Sequence, residues 1–324
     1  MSRSQIQSTL TLSINNITLL QFPNPMDHSP KFLIDPSEAL ALADSAAITL
    51  PELLPRLVPA AQSLARPPIS NFPVAAVGLG PSGRIFVGVN LEFPGLPLHH
   101  SVHAEQFLLC NLSLNAEANL ASFAVSAAPC GHCRQFLQEL RAASDVNILV
   151  TSHATPQFTP LSDFLPHQFG PHDLLSLRTP LLLEPHHNAL TLLPSHAAND
   201  AALSNGHLHN HKLKNAALDA ANKSHAPYTA SPSGVALLDR QGNLYKGSYL
   251  ESAAFNPSLG PVQAALVAFV AAGGGDYHQI VDAVLVEKED AAVKQEHTAR
   301  LLLHSISPDC NFSTFLCHSE PSPP

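Results

Sequence analysis

Strands alternating with helices, and a second half that repeats the opening strand–turn–strand–helix pattern of the first, predict an α/β protein: an α-β-α layered sheet present twice. The composition agrees. Of 324 residues, 45% are hydrophobic and 13% charged, enough apolar material for two packed cores.

Residues 36 to 65 are rich in Ala and Leu but carry Pro51, Pro55 and Pro59, and so read as short helical pieces. Strands follow at 74 to 79 and 84 to 90, on either side of the turn signal Gly80-Pro81-Ser82-Gly83. An apolar helix is expected over 104 to 116 and a strand over 121 to 127. Cys133, Phe136, Leu137 and Leu140 then share one helical face up to about 142, before a strand at 147 to 152. The order β-β-α-β-α-β places helix ends beside the carboxyl edge of the sheet.

Four regions emerge: an N-terminal extension (1–35), a first domain (36–194), a linker (195–215) and a second domain with its tail (216–324). The linker is assigned because His, Asn, Ala and Lys follow one another there without hydrophobic period. Its alternating His207, His209 and His211 suit a solvated connector, with metal binding as the alternative.

The repeat is legible residue by residue. Ala236 to Gly247 tracks the first strand–turn–strand, with Gly242 at the place of Gly83, Gly247 at that of Gly88, and Leu250-Glu251 at that of Leu91-Glu92. Val262-Gln263-Ala264-Ala265 then lies against Val102-His103-Ala104-Glu105. In this alignment Gln263 replaces His103 and Ala265 replaces Glu105, and no Cys pair follows. The second copy is therefore expected to be degenerate, chance similarity being the competing explanation.

The residues with the most chemistry are His103, Ala104 and Glu105, followed by Pro129-Cys130-Gly131-His132-Cys133. A catalytic zinc site takes three protein ligands and leaves one position for water, whereas a structural site closes with four. His103, Cys130 and Cys133 supply three. Residues two apart do not share a face along a helix, so His103 and Glu105 can meet only at a helix end. There Glu105 can shuttle protons between water and substrate without binding the metal. Arg134 is placed to hydrogen-bond a ligating sulfur. A Cys-x-x-Cys alone also suits a redox pair or half a structural zinc site, but neither employs His103 and Glu105. A His-x-Glu followed by Pro-Cys-x-x-Cys is the signature of zinc nucleobase deaminases. Cys110, amid apolar neighbours, reads as a core residue.

Polynucleotide binders need a basic groove. With a formal net charge of −9 and no Lys/Arg cluster near the motifs, free nucleosides are the expected substrates, without nucleic acid or membrane as partner. Of five cysteines, two are assigned to the metal; Cys110, Cys310 and Cys317 are then too few and too scattered for a disulfide framework, and Cys310 and Cys317 read as reduced thiols in a tail. With no leader pattern and no apolar run of membrane-spanning length, a cytosolic protein is expected.

The chain resembles the cytidine deaminases of the larger, two-domain, dimeric type. The resemblance rests on Phe72-Pro73-Val74, Ser82-Gly83-Arg84, Gly88 to Glu92, the two motifs above, Ser231-Pro232-Ser233-Gly234 and Ala254-Phe255-Asn256-Pro257. It runs from about residue 36 to the tail, although Pro308 to Pro324 follow no family pattern. It implies a duplicated cytidine deaminase-like fold with a catalytic N-terminal copy, one Zn²⁺ per chain, and a homodimer with its active site near the subunit interface. The implied activity is hydrolytic deamination of cytidine and 2′-deoxycytidine in pyrimidine salvage. By the same resemblance, Phe72 packs on the pyrimidine ring, Asn90 and Glu92 hold the ribose 3′-hydroxyl, and the backbone of Ala104 reads the base edge; Phe169 falls in a further family stretch. His99 and His100 lie beside the ligand as an addition to the pattern. A polynucleotide editor and a non-catalytic, zinc-stabilised regulator are the competing readings.

Overall fold

The computed structural model describes residues 31–194 and 205–319, with 205–210 described by their backbone alone. Two sheets form the framework. The first has six strands in the order β1-β3-β2-β4-β5-β6, from β1 (Leu33–Ile34), β2 (Ala75–Leu79), β3 (Ile85–Val89), β4 (Ser122–Val125), β5 (Asn147–Val150) and β6 (Thr159–Pro160). The second runs β7-β11-β10-β8-β9, from β7 (Leu190–Leu192), β8 (Ser233–Asp239), β9 (Leu244–Ser248), β10 (Ile280–Lys288) and β11 (Asn311–Ser319).

The helices are α1 (Pro36–Ser45), α2 (Leu50–Gln62), α3 (Ala104–Leu114), α4 (Gly131–Phe136), α5 (Leu161–Phe164), α6 (Pro171–Leu174), α7 (Asn205–Asn222), α8 (Pro261–Ala271) and α9 (Glu296–Ile306). The two halves match strand for strand. β3-β2-β4-β5 and β9-β8-β10-β11 have the same order, antiparallel pairing except for the parallel pairs β4–β5 and β10–β11. Both copies therefore build the layered α/β fold expected from the sequence, and β2, β3 and β4 are buried along nearly their whole length, as strands covered on both faces must be.

Close backbone contact fixes where the helices lie on the sheets. A Cβ on Gly88 would meet the Ala104 carbonyl oxygen at 2.2 Å and the Leu108 nitrogen at 2.5 Å. Gly247 stands in the same relation to Pro261 and Ala265, at 2.4 and 2.0 Å. No side chain fits in either place. These two glycines seat α3 on β3 and α8 on β9.

Several boundaries differ from expectation. Residues 50 to 62 form one helix through Pro55 and Pro59, not short pieces. Pro59 is exposed and Pro55 half-buried, and the carbonyls they leave without an N–H belong to the exposed Pro51 and the half-buried Pro55, while Leu53, Leu54, Val58 and Ala61 bury another face. β1 lies in the stretch assigned to an N-terminal extension, the rest of which, up to residue 30, falls outside the described residues. β7, inside the expected first domain, pairs with β11 of the second sheet.

The expected linker is also corrected. From Asn205 it is the start of α7, which buries Leu213, Ala217, Ala220 and Ala221. Gly234 of β8 lies so close that its Cβ would meet the Ala221 nitrogen at 2.2 Å. Residues 195–204, and the side chains of His207 and His209, fall outside the described residues. The tail assigned from Pro308 is largely β11, parallel to β10 along seven residue pairs, with Cys317 fully buried in it.

Candidate active site

Two helix beginnings meet over the first sheet. His103 is the N-cap of α3, in extended conformation (φ −80°, ψ 156°), and Glu105 lies in the first turn. The change of direction at the cap lets residues two apart converge. Cys130 is likewise the extended N-cap of α4, with Cys133 in its first turn. His103 Nδ1 lies 3.5 Å from Cys130 Sγ and 3.3 Å from Cys133 Sγ, and the sulfurs are 3.7 Å apart.

This spacing fits zinc. Bonds of about 2.0–2.1 Å to nitrogen and about 2.3 Å to sulfur set tetrahedral donors about 3.5–3.8 Å apart. The donor set also has the right chemistry: the Cys130 thiol is drawn down to about 3, chiefly by its hydrogen bond with Cys133 and next by that with His103, so a thiolate is available. Among the described residues this is the one group suited to a metal, and it includes His132 as a fourth member. His132 Nε2 donates instead to the Asn256 carbonyl at 3.1 Å. A carbonyl can only accept, so the ring carries its proton on Nε2. His99 and His100 are not in the group.

Glu105 is 4% exposed. Burial pushes its carboxyl above the usual range, although Cys133 and His103 partly offset that, and a raised value suits a group that must carry a proton. Ala104 opens α3, where its amide N–H has no partner within the helix.

Asn90 and Glu92 face the segment 69–74. Glu92 accepts from the Ile69 and Ser70 amides at 2.9 Å and from Ser70 Oγ at 2.6 Å. Burial pushes its carboxyl up, but the Ser70 and Ile69 donors outweigh that and hold it below the usual range. Asn90 accepts from the Val74 amide at 2.9 Å and donates to the Phe72 carbonyl at 3.0 Å. Both therefore hold the loop that presents the 59% exposed Phe72.

Arg134 does not reach a sulfur. Its guanidinium donates to the carbonyls of Pro129 and Phe164 at 2.7 and 3.0 Å and lies over the Phe164 ring. It fastens the segment before Cys130, which is positional work. The neighbouring Gln135 donates to the carbonyl of the half-exposed Phe169. Cys110 is buried between the halves, its sulfur 3.8 Å from the Ala264 carbonyl oxygen.

Sequence reasoning missed the second half's share of the site. Asn256 touches His132, and the Pro257 carbonyl accepts from Gln106 Nε2 at 2.9 Å, while Gln106 Oε1 accepts from the His103 amide at 3.2 Å. No local signal marks partners separated by more than a hundred residues.

The alignment of the second copy is corrected as well. Leu91 bridges Arg66 and Val102, as Leu250 bridges His225 and Leu259, and the glycine contacts pair Ala104 with Pro261 and Leu108 with Ala265. Gly260, the N-cap of α8, thus stands where His103 stands in α3, and Val262 where Glu105 stands. Gln263 is the counterpart of Gln106. The second copy is degenerate as expected, but by different residues.

Residues 161–300 and residues 49–150 each match the family described as the cytidine and deoxycytidylate deaminase zinc-binding region. Cytidine deaminase 1 of Arabidopsis thaliana is 56% identical over 301 residues, 89% of this chain and 98% of that one. Cytidine deaminase 7 of the same plant is 49% identical over 300 residues, 89% and 94% of the two chains. Among solved structures, a cytidine deaminase from Mycobacterium tuberculosis is 30% identical, covering 37% of this chain and 96% of its own, with a TM-score of 0.33. Matches across both halves, together with relatives that align along nearly the whole length, establish that this chain belongs to the cytidine and deoxycytidylate deaminase family.

Proposed function

We propose that the chain is a hydrolase that deaminates free cytidine and 2′-deoxycytidine to uridine and 2′-deoxyuridine, releasing ammonia, as a step of pyrimidine salvage in the cytosol. The observation that carries this reading is the tetrahedral spacing of His103, Cys130 and Cys133 beside the buried carboxyl of Glu105. Zinc held by those three donors supplies Lewis acidity that makes water a nucleophile near neutral pH.

Glu105 takes the water's proton as oxygen adds to C4 and delivers it to the ring nitrogen. It carries the second proton to the exocyclic amine, which leaves as ammonia when the C4–N bond breaks. Phe72 covers the pyrimidine face, the Ala104 backbone meets the base edge, and Asn90 and Glu92 hold the ribose 3′-hydroxyl. Each of the last two keeps hydrogen-bonding capacity beyond its bonds to the 69–74 loop.

A nucleoside is favoured over a nucleotide because Arg66, which adjoins Asn90 and Glu92 through backbone hydrogen bonds, spends its guanidinium on the Gly275 and Gly274 carbonyls, at 2.8 and 2.5 Å. A homodimer is favoured by exposed apolar side chains, Phe72, Phe169 and Phe255 among them, which a second copy would cover. The cytosol is favoured by five unpaired cysteines. No helix among the described residues is long and apolar enough to cross a membrane.

Spectrophotometric turnover of cytidine, 2′-deoxycytidine, their 5′-monophosphates and a cytosine-bearing oligonucleotide, run side by side, tests the proposal. Turnover confined to the nucleosides is expected. Deamination of the oligonucleotide would replace this reading with polynucleotide editing, and no turnover by zinc-loaded protein would replace it with a regulator.

A further inference from the structure

We infer that the degenerate second copy acts as a positioning device for the metal site of the first, and that Glu139 is the positioning residue that fastens it. The inference rests on the assignment of His103, Cys130 and Cys133 as ligands proposed above. Glu139 ends the 3₁₀ turn that continues α4, and it is fully buried. A carboxylate so placed must have its acceptor positions filled. All three donors come from the second copy: the Ala253 amide at 2.7 Å, Tyr228 Oη at 2.6 Å and His225 Nε2 at 3.1 Å. Burial, reinforced by Glu139 itself, pushes the Tyr228 phenol far up, so that it remains a donor.

Ala253 belongs to the loop 251–258, which is braced from within. The Ser252 amide donates to Ser258 Oγ at 3.0 Å, the Phe255 amide to the Ser252 carbonyl at 2.8 Å, and the Ser258 amide to the Phe255 carbonyl at 2.9 Å. At the crest are the Asn256 carbonyl, which holds the ring of His132 next to Cys133, and the Pro257 carbonyl, which holds Gln106, the cap of His103. The element that bears both cysteines thus grips the loop at two points, His132 and Glu139, and the loop grips the start of α3. The separation of the two ligand-bearing helix starts is set through this circuit. In the second copy Gly260 and Val262 have given up the metal chemistry, yet this loop keeps its contacts with the first.

The test uses the full-length chain as Glu139→Ala, Glu139→Gln and Ser258→Ala. For each, kcat and KM on cytidine, zinc content, melting temperature and the visible bands of the cobalt(II)-substituted protein are measured. Glu139→Ala is expected to bind one metal per chain with shifted cobalt bands, and to lose about tenfold in kcat while KM changes less than about threefold. Glu139→Gln, whose amide oxygen can still accept from Ala253, should return to within about threefold of the parent, with Ser258→Ala in between.

A Glu139→Ala protein with parental kcat and cobalt bands, altered only in melting temperature, would reduce Glu139 to an interface contact and overturn the proposal. Should Glu139→Ala not fold, parental values for Ser258→Ala would overturn it, and shifted bands with lowered kcat would support it. Cys130→Ala separates the two levels: if it kept both metal and turnover, the ligand assignment itself would fail.

Discussion

Carboxylates of one chemical type do different work here because their surroundings differ. Burial lifts the proton affinity of Glu105, whereas four donors to Glu117 (Ser82 N and Oγ, Arg84 Nε and Nη2, at 2.6 to 3.1 Å) outweigh its burial and hold its carboxyl below the usual range. A value depressed in the folded state contributes stability that is present above the unfolded carboxyl's value and lost as pH falls through the folded one. Glu117→Gln should therefore cost about 1–3 kcal/mol at neutral pH, and much less at an acid pH below the folded carboxyl's lowered value, where the parent carries its proton as well. Urea unfolding of both proteins at the two pH values checks this, and an equal cost at both would show that the ionised form contributes nothing. His103, Glu105, Cys130 and Cys133, which the structure brings together, could be singled out one by one because each proposed chemical role admits few residue types. Glu139, Gln106 and Asn256 were not, because their roles exist only in partners brought together by the fold.

The elements place those residues through backbone contact as much as through side chains. Gly88 lets α3 sit on β3, and any side chain there would strike the Ala104 carbonyl, one residue from His103. Gly88→Ala should destabilise the chain by about 1–3 kcal/mol or more and displace the helix start. Gly247→Ala should cost a similar amount in the second copy, where a shift of α8 reaches the ligands only through the loop 251–258. Denaturant unfolding with zinc analysis distinguishes them: a larger loss of zinc affinity in Gly88→Ala than in Gly247→Ala is expected, and equal affinity in both would separate α3 seating from metal binding. Strands β2 to β5 and helix α3 were readable because apolar residues recur at the period of each element. α7 was missed because its first half is polar, and its buried stripe at 213, 217, 220 and 221 is mostly alanine, which hydrophobic patterning barely registers. α2 runs on through prolines that interrupt a helical pattern in sequence but that the fold leaves exposed or half-buried.

At the scale of the molecule, one fold is built twice, and among the described residues only the first copy carries a group suited to a metal. The duplication could be read from Gly83, Gly88 and Glu92 and their echoes, but the register of α8 could not, since the loop before it is shorter and only the bridge at Leu250 and the contact at Gly247 fix it. β11 was overlooked because nothing in residues 308 to 324 announces a parallel partner as distant as β10. A single metal group among the described residues, with Gly260 and Val262 at the second copy's corresponding positions, is the ground for proposing one zinc ion and one working site per chain. The most direct test is cytidine turnover by Glu105→Ala, measured together with its zinc content. The account predicts one zinc per chain and a loss of turnover of about 10²-fold or more, because the shuttle is gone while the ligands remain. Parental turnover by a fully zinc-loaded Glu105→Ala protein would contradict it.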